Sequence, residues 1–460
     1  EMGSYYLIIG LGVFVCSLYI AFSRFGKIRL GETDKPLYSG FQWGSMIFTA
    51  GLAADILFYS CFEWILYASD PHTVEMGTLH EWAATYPLFH WGPIPWGFYL
   101  VLSAAFGFML HVRKRTRQKY SEACRPVLGN KVDGIAGKLI DLIAVFALLA
   151  GTATTFSLAT PLLAGAISSV TGIPQSTGLT LVILVIVCAI YTFSVYFGMK
   201  GVQLSAATCT WLFFGLLAYV FFFGGQTRFI IEEGITALGN MTQNFIGLAT
   251  WTDSLRTSSF PQTWTIFYWA YWMVWCVAVP FFIGSISKGR TLRQVILGGY
   301  VFGLSGTFTS FIIMGNYGLG LQMHGKLDVL SSYAADGNLY HAILDILGQL
   351  PLSKAVLVLL VLCMITFYST SFDSITMVAS TYTYKKLQSD EEPHRNVKLF
   401  WAIFLILLPL ALIFSENSMS NLQTVSIIAA FPVGIIMLLI ISSFFKDADA
   451  YLKEQANPPE

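Results

Sequence analysis

The chain is 460 residues long, 55% hydrophobic and only 11% charged, with a formal net charge of zero. Soluble domains carry about a quarter charged residues, so this composition excludes a water-soluble globular protein and points to the membrane. Balanced charge leaves no electrostatic footprint for a nucleic-acid partner, and seven cysteines with no C-x-x-C pair suggest neither a disulfide framework nor a zinc site.

Eleven apolar runs read as membrane spans: 4–22, 43–68, 86–110, 139–163, 179–198, 204–224, 264–284, 295–318, 353–383, 398–414 and 421–445. Sorting the loops between them by Lys and Arg puts all but Arg228, Arg256, Lys326 and Lys354 on one side. Lys/Arg-rich loops stay in the cytoplasm, which predicts a cytoplasmic C-terminus and an external Glu1, with one more helix expected upstream. The long external connection 225–263 contains IIEEGITALGNMTQNFIGL, whose mixed pattern predicts an amphipathic helix lying across the outer face. It separates two sets of five spans that run in opposite directions. That topology predicts an inverted repeat, with substrate held at mid-membrane by interrupted helices. The expected layout is 1–42 as a peripheral helix and loop, 43–224 and 264–445 as the repeats, 225–263 as the linker, and 446–460 as a short tail.

The second span contains FTAGLAADILFYSCFEW, with small residues around Ala50–Ala54 and carboxylates at Asp55 and Glu63. A carboxylate near the bilayer centre costs about 2.5–3.5 kcal/mol on insertion scales, so Asp55 faces a cavity or a partner. It is either a proton or cation site, or a hydrogen-bonding clasp on an unwound backbone. Glu63 lies nearer the outer end and is expected to be structural or wetted. The third span opens FHWGPIPWGFY, where Pro93 and Pro95 disturb the first turns. Trp91, Trp96 and Tyr99 supply an aromatic set there, and His90 is embedded beside them as a packing residue.

The seventh span carries WTIFYWAYWMVW. At 100° per residue, Trp264, Tyr268, Tyr271, Trp272 and Trp275 share one face, while Phe267 and Trp269 point elsewhere. The stripe runs about 16 Å along the axis, too deep for an interfacial belt. Core packing and a ligand box both remain open. Aromatic faces attract quaternary ammonium groups, each contact contributing roughly 0.5–2 kcal/mol. In the ninth span, TFYSTSFDS places Thr366, Ser369, Thr370, Asp373, Met377 and Ser380 on one face, which must meet another helix, an aqueous path or a hard cation. No nucleophile–base, zinc-hydrolase or Walker signature is present, so no enzyme is expected.

Three stretches together resemble the betaine/choline/carnitine transporter family: WTIFYWAYWMVWCVAVPFFIGSISKGRT at 264–291, LFHWGPIPWGFY at 88–99 and TSFDS at 370–374. The resemblance runs from the first span to the tail. It implies an all-helical, five-plus-five inverted-repeat secondary transporter of the leucine-transporter type, multi-pass in a bacterial cytoplasmic membrane and commonly trimeric. Eleven of the family's twelve helices are visible. It implies a quaternary ammonium substrate in a box of Trp91, Trp96, Tyr99, Tyr271, Trp272 and Trp275, no cofactor, and H+ or Na+ as coupling ion. Asp55, Phe367, Thr370 and Ser371 are the implied coupling residues, with sodium at Thr370 and Ser371. Departures are Tyr271 in place of the usual Trp, a shifted Pro280, and Ser285 for the family Arg. Asp55 stands where sodium-coupled betaine carriers have Gly and proton-coupled choline carriers have Asp. Alternatives are a carnitine-type exchanger, or a sensor or channel that binds the same ligands.

Overall fold

After α1 (Gly3–Phe22), the chain breaks inside the next apolar run. The computed structural model describes residues 3–388, 391–413 and 419–456. In it, α2 (Gly40–Gly51) and α3 (Asp55–Ala68) form one span bent by 59°. Ser39 and Gln42 close a capping box at the start of α2. The helix stops where the side chains are smallest. A Cβ on Gly51 would lie 2.5 Å from the Trp96 indole, so only glycine admits that ring against the backbone. The chain then crosses Leu52, Ala53 and Ala54 and restarts at Asp55.

α4 (Leu79–His90) and α5 (Pro93–Gly107) form the next span, with Trp91 and Gly92 at their junction and Pro93 starting the new helix. The next three spans are α6 (Ile135–Thr171), α7 (Thr177–Tyr196) and α8 (Met199–Phe223). At 37 residues, α6 is about 55 Å long, so it must tilt or project beyond a hydrocarbon core of about 30 Å. The expected amphipathic helix is α9 (Thr227–Thr250), which buries Ile230, Gly234, Ala237, Met241 and Leu248 and packs on α4. Beyond it, the Asp253 carboxylate accepts the backbone N–H groups of Thr257, Ser258 and Ser259. Those bonds hold its carboxyl well below the usual range and fix the turn that leads into the seventh span.

That span is also broken. A π turn (Pro261–Thr265) runs into α10 (Ile266–Val274), a 3₁₀ turn at Trp275–Val277, and α11 (Val279–Ser285), bent by 45°. Pro280 is the cause: it has no N–H, and its ring excludes the carbonyl of Cys276 from the helical ladder. The hydroxyl of Tyr120 donates to that carbonyl instead, at 3.3 Å. The remaining spans are α12 (Leu292–Ser310) continuing into α13 (Asn316–Met323), α14 (Ser353–Thr381), α15 (Arg395–Ile413) and α16 (Met419–Ala456). Among the described residues, eight helical segments and two bent pairs are long and apolar enough to cross a membrane. Each expected span falls on one of these or on α15. The expected end of the tenth span, residue 414, lies outside the described residues, as do residues 457–460 of the tail.

Candidate functional site

The two breaks and the α4–α5 junction present aromatic rings to one another. Trp272, on α10, is the centre: its ring lies 5.4 Å from Trp91, 5.7 Å from Trp96 and 5.0 Å from Tyr99. Trp91, Tyr99, Tyr271, Trp272 and Trp275 line one cavity together with Ala50, Gly51, Ala53 and Asp55. Trp96 stands behind Trp272, and a Cβ on either Gly51 or Gly303 would lie 2.5 Å from its ring. All six residues that the resemblance nominated are therefore brought together. They do not form an open cage. The space left between them is about 20 Å³, enough for about one water and far below a ligand pocket of roughly 300 Å³. In this conformation the rings pack against each other, and a ligand enters only if Trp272 or the half-helices around it move.

Two polar features mark the cluster. The Nε1 atoms of Trp96 and Trp272 are buried without a hydrogen-bond partner in the protein. Such groups are destabilising by about 1–3 kcal/mol, and a ligand oxygen would relieve that. Asp55, 3% exposed at the first residue of α3, accepts the hydroxyl of Tyr271 across the two broken helices. The positive end of the half-helix dipole favours a carboxylate there.

The uniform 100° projection misplaces the first end of the seventh span and keeps Trp275 beside Tyr271 and Trp272. Trp264 sits on the π turn, and its indole donates to Asp70 at the outer rim, 3.1 Å away. Trp275 sits on the 3₁₀ turn; its ring lies 3.3 Å from the point where a Cβ on Gly151 would stand. Trp269 packs against Phe89 and Phe98 and on the backbone of Gly10. Phe267 packs against Tyr268 and Tyr271.

Of the two expected roles, Glu63 takes the structural one. It is fully buried and accepts Trp91 Nε1 at 2.8 Å and the Tyr67 hydroxyl at 2.5 Å. Tyr67 also meets His90 Nδ1 at 2.6 Å, and His90 Nε2 meets the hydroxyl of Thr265 at 3.0 Å. This chain fixes the Trp91 ring from behind. Its sequence signal is the four-residue spacing of Asp55, Tyr59, Glu63 and Tyr67, which puts alternating acids and phenols along one side of α3. Glu63→Ala is expected to weaken substrate binding about tenfold, because Trp91 and Tyr67 lose their acceptor. Glu63→Gln, which keeps an acceptor oxygen, should lose less. Equal affinity in wild type and Glu63→Ala would remove Glu63 from the site.

The α14 stripe meets two helices. Asp373 accepts the Ser194 hydroxyl of α7 at 2.6 Å, and Ser369 meets Ser205 of α8 at 3.2 Å. Thr370 donates back to the Phe367 carbonyl at 3.0 Å, while the buried Ser371 hydroxyl has no protein partner. Phe367 packs on Phe48 of α2, with ring centres 5.8 Å apart, so these hydroxyls lie on the side of α14 that borders the first broken span. Among the described residues, no three His, Cys, Asp or Glu side chains gather as potential metal ligands.

The family model described as BCCT, betaine/carnitine/choline family transporter, matches residues 1–453. The glycine betaine transporter OpuD of Bacillus subtilis is 31% identical, over 99% of this chain and 88% of its own length. A carnitine transporter of Acinetobacter baumannii is 29% identical, over 91% of this chain and 76% of its own. Among solved structures, a Na+-coupled sialic acid symporter in its substrate-bound outward-open state superimposes with a TM-score of 0.55 at 14% identity, covering 96% of this chain and 86% of that one. The likeness shows a shared leucine-transporter-like fold.

Proposed function

The chain belongs to the betaine/carnitine/choline transporter family, and from that premise we propose that it is an ion-coupled importer of a small quaternary ammonium compound. The observation that carries this reading is the convergence of Trp91, Trp96, Tyr99 and Trp272 where the two broken helices meet. A trimethylammonium head has no N–H to donate, so its positive charge is best stabilised by aromatic faces. Three or four faces at roughly 0.5–2 kcal/mol each supply about 1.5–8 kcal/mol, the upper part of the range applying in a site closed to water. Trp272 swings aside as the head enters, and the unpartnered indole N–H groups of Trp96 and Trp272 are placed to meet an oxygen on the ligand's tail.

Asp55 is the proposed proton carrier or counter-charge, reporting its state to the box through Tyr271. Sodium is the second candidate coupling ion. It favours oxygen ligands, and the hydroxyls of Thr370 and Ser371 fit, the latter being buried and free to coordinate. The proposed topology keeps 43–224 and 264–445 as the inverted repeats, with the C-terminus on the cytoplasmic side. The reading further expects a homotrimer.

The test is uptake of radiolabelled choline, glycine betaine and carnitine into proteoliposomes, with sodium and proton gradients imposed separately. Accumulation driven by one of the gradients is the expected result. Accumulation only by exchange against internal substrate would identify an exchanger, and the absence of any saturable transport would contradict the proposal.

A further inference from the structure

The face that carries the Lys/Arg-rich loops holds a cleft of about 570 Å³ that shares no lining residue with the aromatic cavity. Its walls contain Lys114, Arg115, Arg117, Lys119, Arg125, Lys385 and Lys386 against only two carboxylates, Glu122 and Asp133. Those two are each shared between arginines. Glu122 pairs with Arg115 and Arg125, and Asp133 pairs with Arg117 and Arg125. Asp447, next to the cleft, holds the other side of Arg115, and Lys114 reaches Glu32. The arginines are thus fixed in place and partly neutralised. Lys119, Lys385 and Lys386 have no carboxylate within ion-pair distance among the described residues, and Lys385 and Lys386 are exposed. The cleft keeps an excess of positive charge on a rigid frame, as an anion site requires.

A second observation says which anion. Asp133, in the wall, lies two residues before the start of α6. The first turns of α6 expose Ile135, Leu139, Leu142 and Phe146, an apolar stripe three and four residues apart. α15 packs beside α6 and exposes Phe400, Ile403, Phe404 and Leu407. Lys385 and Lys386 belong to the connection that leads into α15. A basic cleft therefore caps two neighbouring apolar stripes that face away from the protein, which is the charge pattern of a phospholipid: an anionic head above acyl chains.

We propose that this cleft binds the phosphate of an acidic phospholipid, whose acyl chains lie along the exposed stripes of α6 and α15. A soluble phosphate ion would satisfy the cleft alone, whereas a phospholipid would also place its acyl chains in the membrane that the stripes face. The site lies apart from the aromatic cluster, so the proposal stands whatever the transported substrate is.

The experiment uses the full chain in detergent, loaded with phosphatidylglycerol or phosphatidylcholine and examined by native mass spectrometry. Wild type is expected to retain phosphatidylglycerol and release phosphatidylcholine. The triple variant Lys119→Gln, Lys385→Gln, Lys386→Gln leaves every ion pair described above intact, and it should lose phosphatidylglycerol affinity by about tenfold or more. Thermal unfolding of the variant checks that it is folded. Millimolar inorganic phosphate should not displace the lipid. Equal retention of the two lipids, or equal retention by variant and wild type, overturns the proposal. Full displacement by inorganic phosphate overturns the lipid assignment in favour of a soluble phosphate site.

Discussion

Trp272→Leu is expected to reduce affinity for a quaternary ammonium ligand by about a hundredfold or more, with Trp272→Phe falling between it and wild type. Trp272 touches three other rings of the cluster, more than any other member of the six. Leucine retains much of the apolar bulk but has no π face. It removes one cation–π contact worth about 0.5–2 kcal/mol outright and loosens the three rings that Trp272 orients. Phenylalanine keeps a face, though a smaller and weaker one. Replacing a buried tryptophan by alanine would destabilise the fold by about 3–5 kcal/mol and confuse the reading, so leucine and phenylalanine are the informative variants. Isothermal titration with choline and glycine betaine measures the effect, with the unfolding temperature as the control. Affinity within twofold of wild type in a folded Trp272→Leu protein would show that the cluster is packing alone.

The second large effect is expected at Asp55. Asp55→Asn keeps an acceptor for the Tyr271 hydroxyl and removes only the charge. A unit charge about 6 Å from a cationic head contributes about 3 kcal/mol at an effective dielectric near 20. Choline carries a net positive charge, whereas glycine betaine is a zwitterion. The substitution should therefore shift the preference from choline toward glycine betaine by about tenfold to a hundredfold, and uptake should no longer respond to a proton gradient. The readout is the ratio of kcat/KM for the two compounds, measured at several external pH values. An unchanged ratio together with an unchanged pH profile would leave Asp55 as a clasp on the break between α2 and α3.

Much of the architecture was legible because it follows from hydropathy and from a few special residues. As far as it is described, every expected span lies on a helix or a bent helix pair, and the small residues from Ala50 to Ala54 marked where the second span breaks, whereas the break at Pro280 was not read from the sequence. The six clustered aromatics were named through family resemblance combined with helical spacing; spacing alone left core packing open. What escaped was lateral. Depth along a span left Glu63 structural or wetted; the structural role holds, and what escaped was its partners, Trp91, Tyr67 and His90, arriving from the same helix and the next. Trp264 left the projected face because the span begins as a π turn, whereas Trp275, on the 3₁₀ turn, still lines the cavity with Tyr271 and Trp272. The close packing of the rings on one another was not legible at all, since side-chain conformations in a crowded core depend on every neighbour.

The proposed function requires that these rings recognise a positive charge rather than an apolar shape. Choline and its neutral isostere 3,3-dimethylbutan-1-ol differ only in nitrogen against carbon at the head. Intrinsic tryptophan fluorescence of the purified chain, titrated with each, compares them directly. A saturable change is expected with choline and lost in Trp272→Leu, with the isostere binding at least about tenfold more weakly. Equal affinity for the two compounds would contradict it.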